Sequence, residues 1–341
     1  MSQVSRHDEM MAFLNAHLSA GFEVQSLAGD ASFRRYHRIY FDVKGDEQTE
    51  RMTYLLMDAP PEKESVVEFL NVADIFSETV NVPDIIARDV ARGFLLLQDF
   101  GTTEFADTIT GDASVREAQY AKALQTLADL QRIRTDVNLP AYSDEKLAQE
   151  MDLFAEWFLP YIGVALDDKG SALWQNFKAY IVKAVQAQPK VVVHRDYHSR
   201  NLMQDKGSDA LGVIDFQDAV IGANTYDLVS LVRDAYVDFD ESWVADKIAK
   251  FHALIQPEAD LHTFTAMVNV MGVQRHLKVL GIFIRLSQRD GKDRYLADIP
   301  KVMRDLLAEL EWLGEQGDQV CAQFLAWLQA SVLPAYQQKF A

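Results

Sequence analysis

The chain of 341 residues contains one cysteine, Cys321. An intramolecular disulfide is therefore excluded, as is a zinc cluster built on cysteines. Positive charge is also scarce. Lys and Arg number 33 against 51 Asp and Glu, for a net charge of -18 and a pI near 4.8. So acidic a chain is a poor general binder of nucleic acid or anionic membrane, although net charge does not forbid one local basic pocket. No stretch approaches the roughly 18 apolar residues of a membrane span. The opening "MSQVSRHDEMMAFLNAHL" lacks a long apolar core and a small-residue cleavage site, and reads as an amphipathic helix rather than a signal peptide. Internal repeats and low-complexity linkers are missing too. These absences predict a soluble, cytoplasmic globular protein with neither nucleic acid nor membrane as partner.

Hydrophobic residues make up 49% and charged residues 25% of the chain, enough for a sizeable core in two lobes. Residues 6–20 read as a helix. Arg34 to Val43 and Arg51 to Ala59 read as strands, with "KGDEQTE" as the turn between them. "PPEKESVVEFLNVADIFSE" opens on prolines and spaces Val67, Leu70, Ala73 and Phe76 as a helical stripe. Gly93 to Gly101, "GFLLLQDFG", is a buried strand ending in a polar step. Helical periodicity follows over Glu117 to Arg134, Leu147 to Phe158 and Ala172 to Ala187, and from Asp227 onward.

Between these helical stretches lies "VVVHRDYHSRNLM", Val191 to Met203, an apolar run that stops at a cluster of charged side chains. The turn "KGSD" follows. If Leu202 to Asp205 pairs with Leu211 to Ile214 as an antiparallel hairpin, Asn201 and Asp215 lie side by side at its open end. An amide oxygen beside a carboxylate is a ligand set for Mg2+, a hard cation that shares its shell with phosphates. Asp196, five residues before Asn201, is left to orient a hydroxyl and accept its proton. Phosphoryl transfer from ATP needs this division of labour.

"HRDYHSRN" followed by "IDF" resembles the H-x-D-x-H-x-x-N and I-D-[FW] pair of the aminoglycoside phosphotransferase and choline kinase group. That resemblance implies an α+β, protein-kinase-like bilobal fold, with a small β-containing N-lobe over residues 1–102 and a mainly helical C-lobe over residues 103–341. Four further segments, "GDASFRRYHRI", "MDAPPEKE", "IDFQDAVIGANTYDLVSLVRDAY" and "QRHLKVLGIFIRLSQRDGKDRYLADIP", look like the bacterial kinases of N-acetylmuramate and N-acetylglucosamine. Those enzymes phosphorylate the anomeric hydroxyl in peptidoglycan recycling. By resemblance, Asp196 is the catalytic base, Asn201 and Asp215 ligate Mg2+, and His194, His198 and Asp227 shape the catalytic loop. Arg195 stands where many members of the group have glycine.

On the nucleotide side, the resemblance assigns Ala31, Ser32 and Phe33 to a phosphate-covering turn and Gln98, Asp99 and Phe100 to the adenine hinge. The strand "TYLLMDA" lacks the lysine that usually holds the nucleotide's phosphates, with Met57 and Asp58 near its place. Arg34, Arg35 and Lys63 are candidate substitutes. Alternation sends Arg34 and Arg35 to opposite faces, so one of them should point inward, oriented by Glu64 or Glu68. For the acceptor, Asp218, Arg233 and Arg275 are candidate contacts, an arginine suiting the carboxylate of N-acetylmuramate. Two other readings stand beside the amino-sugar kinase: a kinase for an aminoglycoside or amino-alcohol, and a nucleotide-binding pseudokinase.

Overall fold

The structure, a computed structural model, describes residues 5–18, 21–27, 33–44 and 49–340. The chain separates into two compact units. The first comprises Met1–Gly111 and Arg200–Asp218, and the second Asp112–Ser199 and Ala219–Ala341. The segment carrying Asn201 and Asp215 therefore groups with the N-terminal unit, while Asp196 belongs to the other.

The first unit is built on a five-stranded antiparallel sheet, order β1-β2-β3-β5-β4, from β1 (Glu23–Ser26), β2 (Arg35–Lys44), β3 (Thr49–Asp58), β4 (Ile85–Asp89) and β5 (Phe94–Gln98). Helix α1 (Arg6–His17) is opened by a Ser5–Asp8 capping box. It lays Met10, Phe13 and Leu14 against Ile39, Leu56, Phe94 and Leu96. Arg6 fixes its start, donating to Asp58 and to the Arg92 carbonyl and lying over the Phe94 ring. Helix α2 (Val67–Ser77) buries Phe69, Val72, Ala73 and Phe76. It begins later than its prolines suggest. Residues 60–66 form turns in which the Lys63 and Glu64 N–H groups bond to the Pro60 carbonyl, and Glu64 is drawn to Arg34. The short helix α3 (Phe105–Thr108) and the hairpin of β7 (Leu202–Gln204) with β8 (Leu211–Val213) complete this unit.

The second unit is helical apart from β6 (Lys190–Val193), which pairs antiparallel with β9 (Val220–Ala223). Its helices are α4 (Ala113–Leu130), α5 (Asp144–Leu153), α6 (Leu159–Tyr161), α7 (Asp168–Gln186), α8 (Tyr226–Val232), α9 (Glu241–Ile255), α10 (Leu261–Asp290), α11 (Ile299–Glu315), α12 (Gln319–Trp327) and α13 (Leu333–Phe340). The 30-residue α10 is the axis on which α5, α7, α8, α9 and α11 pack. Gly281 is required there, since a Cβ would stand 2.3 Å from the Leu153 carbonyl carbon. Part of the acid excess is spent on helix starts: Asp112, Asp167, Asp240, Asp260 and Asp318 each accept backbone N–H bonds as caps. Cys321 is buried, and burial pushes its thiol up, with Asp318 adding to the rise. Among the described residues, no helix is long and apolar enough to cross a membrane.

Phe216 joins the hairpin to α2. Its fully buried ring lies 4.8 Å from Phe69 and 5.6 Å from Phe76, centroid to centroid. Phe216→Ala should lower stability by about 3–5 kcal/mol, the usual cost of emptying a buried aromatic site. Urea unfolding followed by tryptophan fluorescence measures it.

Candidate active site

The turn after β6 (Lys190–Val193), which carries the candidate Asp196, is held by one carboxylate. Asp227, at the start of α8, accepts the His194 N–H at 2.7 Å and the Arg195 N–H at 2.9 Å. Burial pushes the Asp227 carboxyl up to about 7, against the pull of those two N–H groups. His194 is fully buried, and its Nδ1 accepts the Asp196 N–H at 3.2 Å. His198 stacks edge-on against Tyr236, and its N–H bonds to the Asp196 carbonyl.

Arg195 has a positive φ of 77°, the left-handed region that glycine adopts freely. This is the conformation that glycine would supply without strain. Here the arginine side chain brings its own anchors: Nη2 pairs with Glu150 at 2.6 Å, and the guanidinium lies over the Tyr142 ring. Glu150 also faces Lys278 at 3.3 Å. Burial disfavours the charge of Asp196, but Lys278, His198, His194 and Arg275 outweigh it and leave the carboxyl below its usual range. It is therefore an ionised, partly buried carboxylate at neutral pH, the state a proton acceptor requires.

In the first unit, the hairpin register differs by one from the spacing argument. Leu202 pairs with Val213, so Ile214 faces Asn201 and donates to its carbonyl at 3.1 Å. Asp215 lies one residue beyond. Its φ of 63° turns it into the left-handed region, and its Oδ2 lies 3.5 Å from the Asn201 amide nitrogen. Gln217 donates to the other oxygen at 2.9 Å. A strained non-glycine residue of this kind persists only where its surroundings over-determine it. The amide and carboxylate supply hard oxygen donors, which fit Mg2+ shared with phosphates. No cluster of three or more His, Cys, Asp or Glu able to hold a metal occurs among the described residues, and a phosphate-bound Mg2+ needs only one or two carboxylates.

The β2–β3 register sorts the candidate cations. Ile39 and Leu56 point to α1, which puts Arg35, paired with Asp58, on that face as well. Tyr36 and Arg38 share the opposite face with Met57, and Arg34, just before the strand, joins them through its bond to Tyr36. Arg34 Nε meets Glu64 at 2.7 Å, and the other Glu64 oxygen accepts the Phe33 N–H at 3.0 Å. Tyr36 bonds to Arg34. Its hydroxyl is pushed up to about 12, first by burial, with Arg34 opposing and Asp215 adding to the rise. Glu68 instead bonds to Ser65, and Lys63 lies over the exposed Phe33 ring. Ala31 and Ser32 lie outside the described residues. Gln98 ends β5, and Phe100 is packed so tightly on Gly212 that a Cβ there would come within 2.5 Å of its ring. The Phe100 carbonyl accepts the Lys206 N–H. Asp99 is buried and engaged by Arg38 at 2.8 Å. The sequence reading missed Tyr36 and Arg38, whose signal was the same alternation that separates Arg34 from Arg35.

The three acceptor candidates occupy different settings. Asp218 is exposed in the turn before β9. Arg233 is buried and saturated with carboxylates, at 2.7 Å from Glu241, 3.2 Å from Glu309 and 3.9 Å from Asp305. Arg275 lines the same cavity as Asp196.

Residues 23–263 match the family model described as "Phosphotransferase enzyme family". An N-acetylmuramate/N-acetylglucosamine kinase of Pseudomonas putida is 39% identical over 86% of each chain. One of Neisseria meningitidis is 40% identical over 84% of this chain and 85% of its own. Among solved structures, an ADP-bound aminoglycoside phosphotransferase superposes with a TM-score of 0.58 at 15% identity, over 87% of this chain and 97% of that one. The choline kinase of Cryptosporidium parvum gives 0.58 at 11%, over 94% and 99%. These structural likenesses show the α+β protein-kinase-like fold.

Asp227→Ala should leave two N–H groups of the turn after β6 without an acceptor and cost roughly 2–5 kcal/mol. Asp227→Asn, which keeps one acceptor, should cost less. Thermal unfolding of the two variants checks the order.

Proposed function

This chain belongs to the phosphotransferase enzyme family, as a sugar kinase that passes phosphate to a hydroxyl acceptor, and we propose that it transfers the γ-phosphate of ATP to the anomeric hydroxyl of N-acetylmuramate or N-acetylglucosamine. The product is the sugar 1-phosphate, a step suited to peptidoglycan recycling. The observation that carries this reading is the 39–40% identity, over 84–86% of the chain, to relatives bearing that name. The aminoglycoside and choline kinases share the fold at only 11–15% identity, so the reading as an aminoglycoside or amino-alcohol kinase is not favoured. Nor is the pseudokinase reading, since Asp196, Asn201 and Asp215 are all in place.

Asp196 orients the acceptor hydroxyl and takes its proton late in a loose transition state. A hemiacetal hydroxyl is more acidic than an ordinary alcohol, because the ring oxygen withdraws electrons. A carboxylate held below its usual range therefore suffices as the acceptor. Asn201 and Asp215 hold Mg2+, which neutralises phosphate charge when bound. Arg34 stands in for the absent strand lysine. Glu64 fixes its guanidinium and, through the Phe33 N–H, tethers the end of the turn assigned to the phosphates. The strand end at Gln98, Asp99 and Phe100 takes the adenine, with Asp99 serving through its pair with Arg38 rather than as a base contact.

A coupled ADP-release assay with Mg-ATP should show turnover of N-acetylmuramate and N-acetylglucosamine and none of choline or kanamycin; turnover of the latter two alone refutes the reading. Asp196→Asn should lower kcat by about 10²–10⁴ while ATP affinity stays nearly intact. Arg34→Ala should raise the KM for ATP about tenfold or more, the loss of a charge-assisted contact. Arg35→Ala should not.

A further inference from the structure

Beside Asp196, within the second unit, lies a cavity of about 130 Å3. Whole small ligands need roughly 300 Å3 or more, so this is a side chamber for one substituent. Its polar lining is Asp196, His198, Asp234, Arg275 and Lys278. Arg275 and Lys278 come from α10, three residues apart and hence on one face.

The two cations are differently placed. Lys278 donates to the Tyr226 hydroxyl at 3.0 Å and shares Glu150 with Arg195. Arg275 is 5% exposed, and its Nε donates to Ser230 Oγ at 2.7 Å. Its Nη1 is buried without a hydrogen-bond partner among the described residues. A buried guanidinium with unspent donors is costly unless something supplies acceptors. The carboxylates around it have other work. Asp227 takes two N–H groups, Asp234 takes those of Ser199 and Tyr236, and Asp196 is reserved for the acceptor proton. A ligand oxygen entering the cavity would supply the acceptor that the surrounding carboxylates do not, in place of water. A guanidinium's planar fork matches a carboxylate in two parallel bonds.

We infer that Arg275, backed by Lys278, receives the lactyl carboxylate of N-acetylmuramate and so sets the preference between the acidic sugar and the neutral one. This rests on the sugar-kinase reading. N-acetylglucosamine lacks the carboxylate and leaves the fork to water. Arg233, equally buried, has no such role, because Glu241, Glu309 and Asp305 already occupy it.

The test is the ratio of kcat/KM for N-acetylmuramate to that for N-acetylglucosamine, measured on the full chain. Arg275→Met should lower the ratio about tenfold or more, the scale of a lost charge-assisted bond. Arg275→Lys, which keeps the charge but not the fork, should lower it less. The wild-type enzyme should also disfavour the methyl ester of N-acetylmuramate against the free acid, a measurement that needs no variant to fold. An unchanged ratio, or an ester used as well as the acid, overturns the inference and leaves the sugar-kinase reading standing. A wild-type enzyme that turns over neither sugar refutes both.

Discussion

Two backbone N–H groups, those of His194 and Arg195, converge on the buried carboxylate of Asp227. A chain leaving a buried strand must satisfy its freed N–H groups or lose the cost of each. Here both are met by one side chain at the start of α8. That grip tolerates the positive φ of Arg195, with the Glu150 pair and the Tyr142 ring as further support. Asp196 follows directly, so its direction depends on a backbone held from behind. The same loop then runs through Ser199, tied to Asp234, before the chain enters the other unit.

In that unit the corresponding constraint is Asp215. Its strained backbone is clamped between an ordinary hairpin and a buried aromatic ring. Phe216, the next residue, is sunk between Phe69 and Phe76 of α2. Just before α2, Glu64 holds Arg34 and the Phe33 N–H, and Tyr36 lies between Arg34 and the field of Asp215. Packing and hydrogen bonding thus join the residue assigned to the metal and the cation assigned to the phosphates through one helix. The strand position where a lysine was expected is filled by the buried, apolar Met57, and the cation proposed in its stead, Arg34, lies just before β2.

The sequence revealed those parts where physical periodicity and chemistry coincide. β2, β3 and β5, the helical stretches and the hairpin between Asn201 and Asp215 could be read from alternation, stripes and turn residues. β1 and β4 could not, being short strands at the sheet's edges that bury little of their side chains. The hairpin register was off by one because turn residues locate a loop without fixing its pairing; the left-handed φ of Asp215 makes up the difference. The choice between Arg34 and Arg35 needed the register with β3, and the role of Arg195 needed its φ, neither of which composition encodes. Burial charges the same price for any unpaired polar group, whichever lobe holds it.

Arg233 and Arg275 show where sequence reading stops. Both lie in apolar helical stretches, and both are more than nine-tenths buried. From sequence they are equivalent. In the structure, Arg233 sits in a knot of acids from α9 and α11, in which burial pushes Glu309 well up while Arg233 pulls it down. Its charge is consumed by the fold. Arg275, on α10, donates to the Ser230 hydroxyl and keeps Nη1 without a partner among the described residues. Burial alone therefore does not mark a functional cation. What separates the two is the counter-charge: Arg233 has three carboxylates within ion-pair reach, whereas Arg275 donates to a neutral hydroxyl. A buried cation left without a counter-charge by its own fold costs stability in every molecule that is empty, and a ligand carboxylate that pairs with it offsets that cost.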